Sequence, residues 1–427
     1  MSATLFTNAR LIDPEAQADA PGSLLVRDGV IAGTGAPGEA APEGAAAIDC
    51  GGRALAPGLI DWGVKIGEPG ERHKESFRSA GLAAAAGGVT TMIVRPDTAP
   101  PIDTPESLEF VTRRAADAAV NIRHMAALTK ARAGREMVEI GFLTDLGAVA
   151  FTDGVRVVRD AKLLGRCMTY ARGLDALIVG HPQDPDLSQG AAATGGKFAS
   201  IYGIPAVSPM AEVMGLNRDL ALVQMTRCRW HADQITVAAA LPALRRAHEA
   251  GLDVSAGISI HHLTLNEFDV GDYRTFFRFT PPLRSENDRQ AMVQAVAEGL
   301  IDVIASFHTP QDEESKRLPF EAAAPGAVGL QTLLPAAMRL YHQGGLSLPQ
   351  LWRAMALNPA KRLGLRAGRL SAGAPADLVL FDPDAPFVLD RFALLSKSKN
   401  TPFDGARMEG RVIGTWIAGR RVFGGEA

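Results

Sequence analysis

The feature that most constrains this chain is the alternation running through its middle. Short apolar runs such as TTMIVRP, AVAFTD, DALIVGH, DVSAGIS and DVIASFH are separated by amphipathic helical stretches. The helical stretches include SLEFVTRRAADAAV, TVAAALPALRRAHEAG and NDRQAMVQAVAEG. Apolar strands that alternate with helices imply a parallel sheet covered by helices. Their number and spacing in 427 residues favour a (β/α)8 TIM barrel over an open doubly wound sheet. No GxGxxG follows an early strand, which argues against a dinucleotide site.

Both ends read differently. Residues 1–55 form short strand-like runs separated by Gly, Pro and Asp turns, and so does the stretch from 368 to 427. Two strand-rich ends around a long middle predict one small composite β-sandwich. The expected class is therefore α/β, with β-domain parts at 1–55 and 368–427 and a barrel at 56–367.

Composition excludes several function classes. Net charge is −3, so no basic surface points to nucleic acid or an anionic membrane. Cys50, Cys167 and Cys228 have no CxxC spacing, which suits a reducing cytoplasm and excludes a cysteine zinc motif. The opening MSATLFTNARLIDPE lacks a basic region followed by an apolar run, so no signal peptide is expected. No run of about 18 apolar residues is present to span a membrane.

The segment PGLIDWGVKIGEPGERHKESFRSAGLAAAAGGVTTMIVRPDTAPPIDTPE resembles the start of a dihydroorotase barrel, in the amidohydrolase superfamily. The likeness continues through TDLGAVAFTDG, GIPAVSPMAE, LNRDLALVQMT, HHLTL, TPPLRSENDRQAM, GLIDVIASFHTP and PGAVGLQT. It ends with NPAKRLGL, GAPADLVLFD and SKNTPFDG, the last being similar to the type I bacterial branch. The resemblance implies a (β/α)8 barrel with a composite β-sandwich, and zinc held at the C-terminal ends of the barrel strands.

Zinc chemistry of that kind needs several His and carboxylate ligands and an open position for water. The resemblance places an HxH pair on the first strand after Asp61, where this chain has Gly63 and Lys65. Glycine has no ligating atom and a lysine ammonium repels a cation, so Lys65 is expected to pair with Asp61 or Asp153. Asp153 keeps the fourth-strand carboxylate and His181 keeps the fifth-strand imidazole, as remnants of a site. Gln234 stands at the sixth-strand ligand position, and His231 matches a non-ligand position. Phe307 replaces the eighth-strand carboxylate that serves as ligand and general base.

The substrate side differs too. Gly67 stands where an arginine would grip a carboxylate through a bidentate fork. Asp97 and Thr280 replace two asparagines. Turn-forming motifs remain, including Pro57-Gly58, Glu68-Pro69-Gly70, His73-Lys74-Glu75 and Pro281-Pro282-Leu283-Arg284.

The expectation is a catalytically inactive dihydroorotase-like chain, without catalytic residues or a tightly bound metal. The resemblance is to inactive dihydroorotase-like subunits that associate with bacterial aspartate transcarbamoylase. It implies an assembly role in pyrimidine synthesis and a homo-oligomer. The alternative is an active cyclic-amide hydrolase with a rebuilt site, holding one zinc on Asp153 and His181.

Overall fold

The computed structural model describes residues 3–425. Eight parallel strand positions form the barrel. Leu59–Val64, Val89–Val94 and Asn121–His124 pair in sequence. A single residue, Phe151, serves as the fourth strand by bridging Ala126 and Ile178. Ile178–Gly180, Trp230–Ala232, Val254–Ser259 and Val303–Ala305 continue the parallel series. The ring closes where the Lys65 N–H donates to the His308 carbonyl at 2.8 Å. The chain thus has the (β/α)8 barrel its alternation predicts, accompanied by a β-rich domain.

Local signals set the covering helices. Ser76 caps Phe77–Ala86 with a reciprocal bond to Ser79, and Asp160 accepts from Lys162 and Leu163 at the start of Ala161–Gly173. At the end of Phe77–Ala86 the chain turns through Gly87 and Gly88. A Cβ on Gly87 would lie 2.0 Å from the Leu330 carbonyl oxygen, so only glycine lets the turn pass this close. Between the fifth strand and Met210–Thr226, residues 188–208 make an excursion with two short strands and the helix Lys197–Tyr202.

The barrel interior is filled by Ile60, Trp62, Ile93, Met125, Ala150, Leu177, Val179, Val303, Ala305 and Phe307. These residues are apolar and buried, as strands covered on both faces require.

Both ends of the chain share one mixed eight-stranded sheet. Its seam is the antiparallel pairing of Ala54–Pro57 with Leu378–Asp382, in which Leu55 faces Leu380. Trp352 ties this sheet to the barrel. Its indole N–H donates to the Pro57 carbonyl at 2.8 Å, and its ring stacks on Phe381 at 4.8 Å. Among the described residues, no helix is long and apolar enough to cross a membrane.

Candidate functional site

The C-terminal ends of the barrel strands surround a cavity of about 140 Å³. Lys65, Asp97, Gln234, Thr280 and Phe307 all line it, together with Arg95, His261 and His262. Asp153 and His181 do not. They line a separate space of about 20 Å³, with Arg156, Arg218 and Asp219. The residues at matched ligand positions are therefore split between two places.

Gly63 explains part of that division. Its φ is +75°, and the pairing between the first two strands slips between Trp62 and Val64. A Cβ built there would lie 2.7 Å from Cε1 and 2.8 Å from Cδ1 of Phe307. The aromatic ring occupies the volume into which a side chain at position 63 would grow. Gly67 is closed in the same manner, because a Cβ on it would be 2.3 Å from the Glu71 carbonyl oxygen. A carboxylate-gripping side chain has no room to start from that backbone.

Lys65 does not pair with Asp61 or Asp153. Its Nζ lies 3.0 Å from Oε2 of Glu71, whose other oxygen accepts from Lys74 at 2.5 Å. Burial works to raise the Glu71 carboxyl, but Lys74 and Lys65 outweigh it and hold it below the usual range. The two acids expected to receive Lys65 are already occupied. Asp61 accepts from the Ser306 N–H at 2.7 Å and from the Ser306 hydroxyl. Asp153 accepts the N–H groups of Leu128 and Thr129 at 3.0 Å each, and the Thr129 hydroxyl. A buried carboxylate already satisfied by such donors gains little from an ammonium that has another acid nearby.

Burial dominates the titration of both. It pushes Asp61 up to about 6 against the pull of the Ser306 bonds. It also raises Asp153, against the bonds from Thr129 and Leu128 and the charge of Arg132. Asp97 behaves in the opposite direction. Burial raises it, but Arg95, Lys65 and Arg132 together pull it below the usual carboxylate range. Arg95 reaches it at 3.2 Å, so the negative charge at position 97 is neutralised within the protein.

Nδ1 of His181 lies 3.1 and 3.2 Å from the two oxygens of Asp233. An imidazole held by a carboxylate is a common support for a metal ligand. The rest of a zinc site is missing, however. Gln234 lines the other cavity, Asp153 is bonded to Leu128 and Thr129, and Phe307 covers Gly63. Among the described residues, no three His, Cys, Asp or Glu side chains converge to hold an ion. The donor set does not fit zinc.

Two other histidines near the mouth, His261 and His262, are buried and neutral. Burial drives His261 down to about 3 and His262 to about 4. Nε2 of His262 faces the Pro281 and Pro282 carbonyls at 3.1 and 3.3 Å, which fits a structural role for the PPLR loop. His308 has a similar place. Its Nδ1 accepts from the Gly329 N–H at 3.1 Å and its Nε2 lies 3.5 Å from Glu75.

Residues 52–238 match the family model described as dihydro-orotase-like, and residues 225–422 match the amidohydrolase family. A dihydroorotase of Wolbachia from Drosophila simulans is 36% identical over 420 residues, covering 98% of this chain and 95% of that protein. The chain belongs to the dihydroorotase-like amidohydrolases. A protein of Pseudomonas putida named dihydroorotase-like protein is 38% identical over 422 residues, with 98% of each chain covered. An L-hydantoinase of Arthrobacter aurescens superposes with a TM-score of 0.89 at 25% identity, over 99% of this chain and 96% of that one.

Within this dihydroorotase-like chain, sequence reasoning missed Glu71, Arg95, Asp233 and the link from Asp61 to Ser306. None has a periodic signal. Glu71 follows Lys65 by six positions, Arg95 meets Asp97 two residues on, and Asp233 and Ser306 meet their partners through neighbouring strands and barrel closure.

Proposed function

We propose that this chain is a catalytically inactive dihydroorotase-like protein with an assembly role, acting as a noncatalytic partner of aspartate transcarbamoylase. The observation that carries the inactive reading is the contact of Phe307 with Gly63. An aromatic ring fills the place beside a position that would bear a ligand, and it replaces the carboxylate that would ligate and act as base. Gln234 and Lys65 remove two further donors. Gly67 leaves no side chain to hold a substrate carboxylate. Buried, unpaired Cys50, Cys167 and Cys228 suit a cytoplasmic location.

The alternative, one zinc on Asp153 and His181, is disfavoured by the bonds that already saturate Asp153 and by the space of only about 20 Å³ beside it. The two readings are tested by assaying dihydroorotate and hydantoin turnover with and without added zinc. No turnover is expected. Zinc-dependent activity abolished by Asp153→Ala would establish the alternative.

The partnership is tested by co-expressing the chain with aspartate transcarbamoylase and running size exclusion at physiological salt. Co-elution as a complex of homo-oligomers is expected. Separate elution, with full transcarbamoylase activity and stability in the absence of this chain, would remove the assembly role.

A further inference from the structure

The outer face of the barrel carries an unfilled groove between Ala161–Gly173 and Met210–Thr226, which pack against one another. Its volume is about 750 Å³. On one side Gly165, Thr169 and Gly173 recur every four residues along the first helix, so their small side chains leave the backbone approachable. Tyr170 and Leu174 border it. On the other side Leu222 and Met225 form the wall, and Met225 is 77% exposed. Exposed Met and Tyr beside arginine are the residue types enriched in protein–protein contacts.

The charge along this groove is of one sign. Among the described residues, Lys162 and Arg166 line it and no carboxylate does. Asp160 is engaged in capping the helix, and Asp175 pairs with Arg229. Arg172 and Arg227 stand, exposed, at the C-terminal ends of the same two helices. A two-fold dimer through this face would set these cations against their own copies, which costs energy. The groove is therefore poorly suited to a second copy of this chain.

We infer that this groove docks one amphipathic helix of a different protein, apolar along the side that enters and acidic along its flanks. A 13-residue groove helix spans about 20 Å, enough to contact three or four turns of such a partner. Leucine or methionine side chains would seat against Met225, Leu222 and the small-residue row, while carboxylates meet Lys162 and Arg166. The inference stands on the groove itself and does not depend on whether the barrel is inactive.

The test uses the full chain and a fluorescein-labelled helical peptide of about 18 residues, with leucines on one face and glutamates on its flanks. A second peptide carries lysines in place of the glutamates. Anisotropy titrations at low and physiological salt should show saturable binding of the acidic peptide only, weakening as salt rises. Met225→Glu and Arg166→Glu should each weaken it at least about tenfold, with thermal stability and oligomeric state unchanged. Three results would overturn the inference. They are no saturation of the wild-type chain by about 1 mM peptide, equal binding of both peptides, and binding unaffected by Met225→Glu. Loss of self-association in Met225→Glu, read by light scattering, would assign the groove to a second copy instead. Co-elution with aspartate transcarbamoylase is a separate readout, so failure of that partnership and failure of this groove are distinguishable.

Discussion

The ring of Phe307 lies against Gly63 so closely that a Cβ on the glycine would sit 2.7 Å from Cε1. Both residues have left-handed backbone, with φ of +49° at Phe307 and +75° at Gly63. The two positions are matched to one another, and neither is matched to a metal. Reverting one alone should therefore harm the fold without helping chemistry.

Gly63→His is expected to destabilise the protein by roughly 2–5 kcal/mol, the sum of overpacking and a non-glycine residue at positive φ. Phe307→Ala alone should also destabilise, by roughly 3–5 kcal/mol, because it empties a buried site. Together they should cost less than their sum by at least about 1 kcal/mol, since the alanine makes room for the imidazole. Urea denaturation of the four proteins measures this coupling. Strict additivity would contradict the contact.

Metal removal should leave the protein unchanged. Gly63 and Phe307 supply no donor, the Lys65 ammonium repels a cation, Gln234 is a poor zinc donor, and Asp153 is bonded to Leu128 and Thr129. Elemental analysis should give less than one zinc per chain, and a strong chelator should not shift the Tm. One or two tightly held zinc ions, or a chelator-induced drop in Tm, would refute the reading of the site.

Stability should carry a pH signature from Asp61. Its folded pKa is about 6, above an unfolded value of about 3.9. A raised pKa means that the folded state holds the proton more tightly, so this contribution is present below about pH 4 and is lost as pH rises through 6. His261 and His262 act oppositely, because their lowered values favour unfolding as pH falls through 6.5. Asp61→Asn isolates the first effect, and an amide can still accept from the Ser306 N–H. Relative to wild type, this variant should gain about 1–3 kcal/mol between pH 4 and pH 7. A constant difference across that range would show that Asp61 does not titrate there.

Retained motifs should prove structural. Glu75 is fully buried and accepts from Ser79, from the Ser396 hydroxyl and from the Lys397 N–H. It thereby joins the HKE turn to Ser396-Lys397, immediately before the SKNTPFDG motif and more than 300 residues later. Glu75→Ala should cost roughly 2–4 kcal/mol by leaving those donors unpaired. Lys65→Ala, which breaks a partly exposed pair with Glu71 but leaves Lys74 on that carboxylate, should cost under about 1 kcal/mol. Comparing their urea midpoints checks the order, and a larger loss at Lys65 would reverse the assignment.

Much of this was legible from sequence. Alternating apolar and amphipathic segments determine a barrel because each strand must be covered on both faces. Gly63 and Phe307 identify positions without a ligand because a residue with no donor atom cannot ligate in any fold, and Gln234 offers zinc only a weak amide oxygen. The side-chain partners were not legible. Lys65 chose Glu71 over Asp61 and Asp153 because Ser306, Leu128 and Thr129 had already satisfied those acids. Ser306 reaches Asp61 only when the eighth strand closes on the first, and residue spacing carries no record of that closure. The sequence alone determined which side chains stand at the matched positions. Tertiary structure alone decided what those side chains meet, because competition for a buried charge is settled by which donors packing brings within bonding distance.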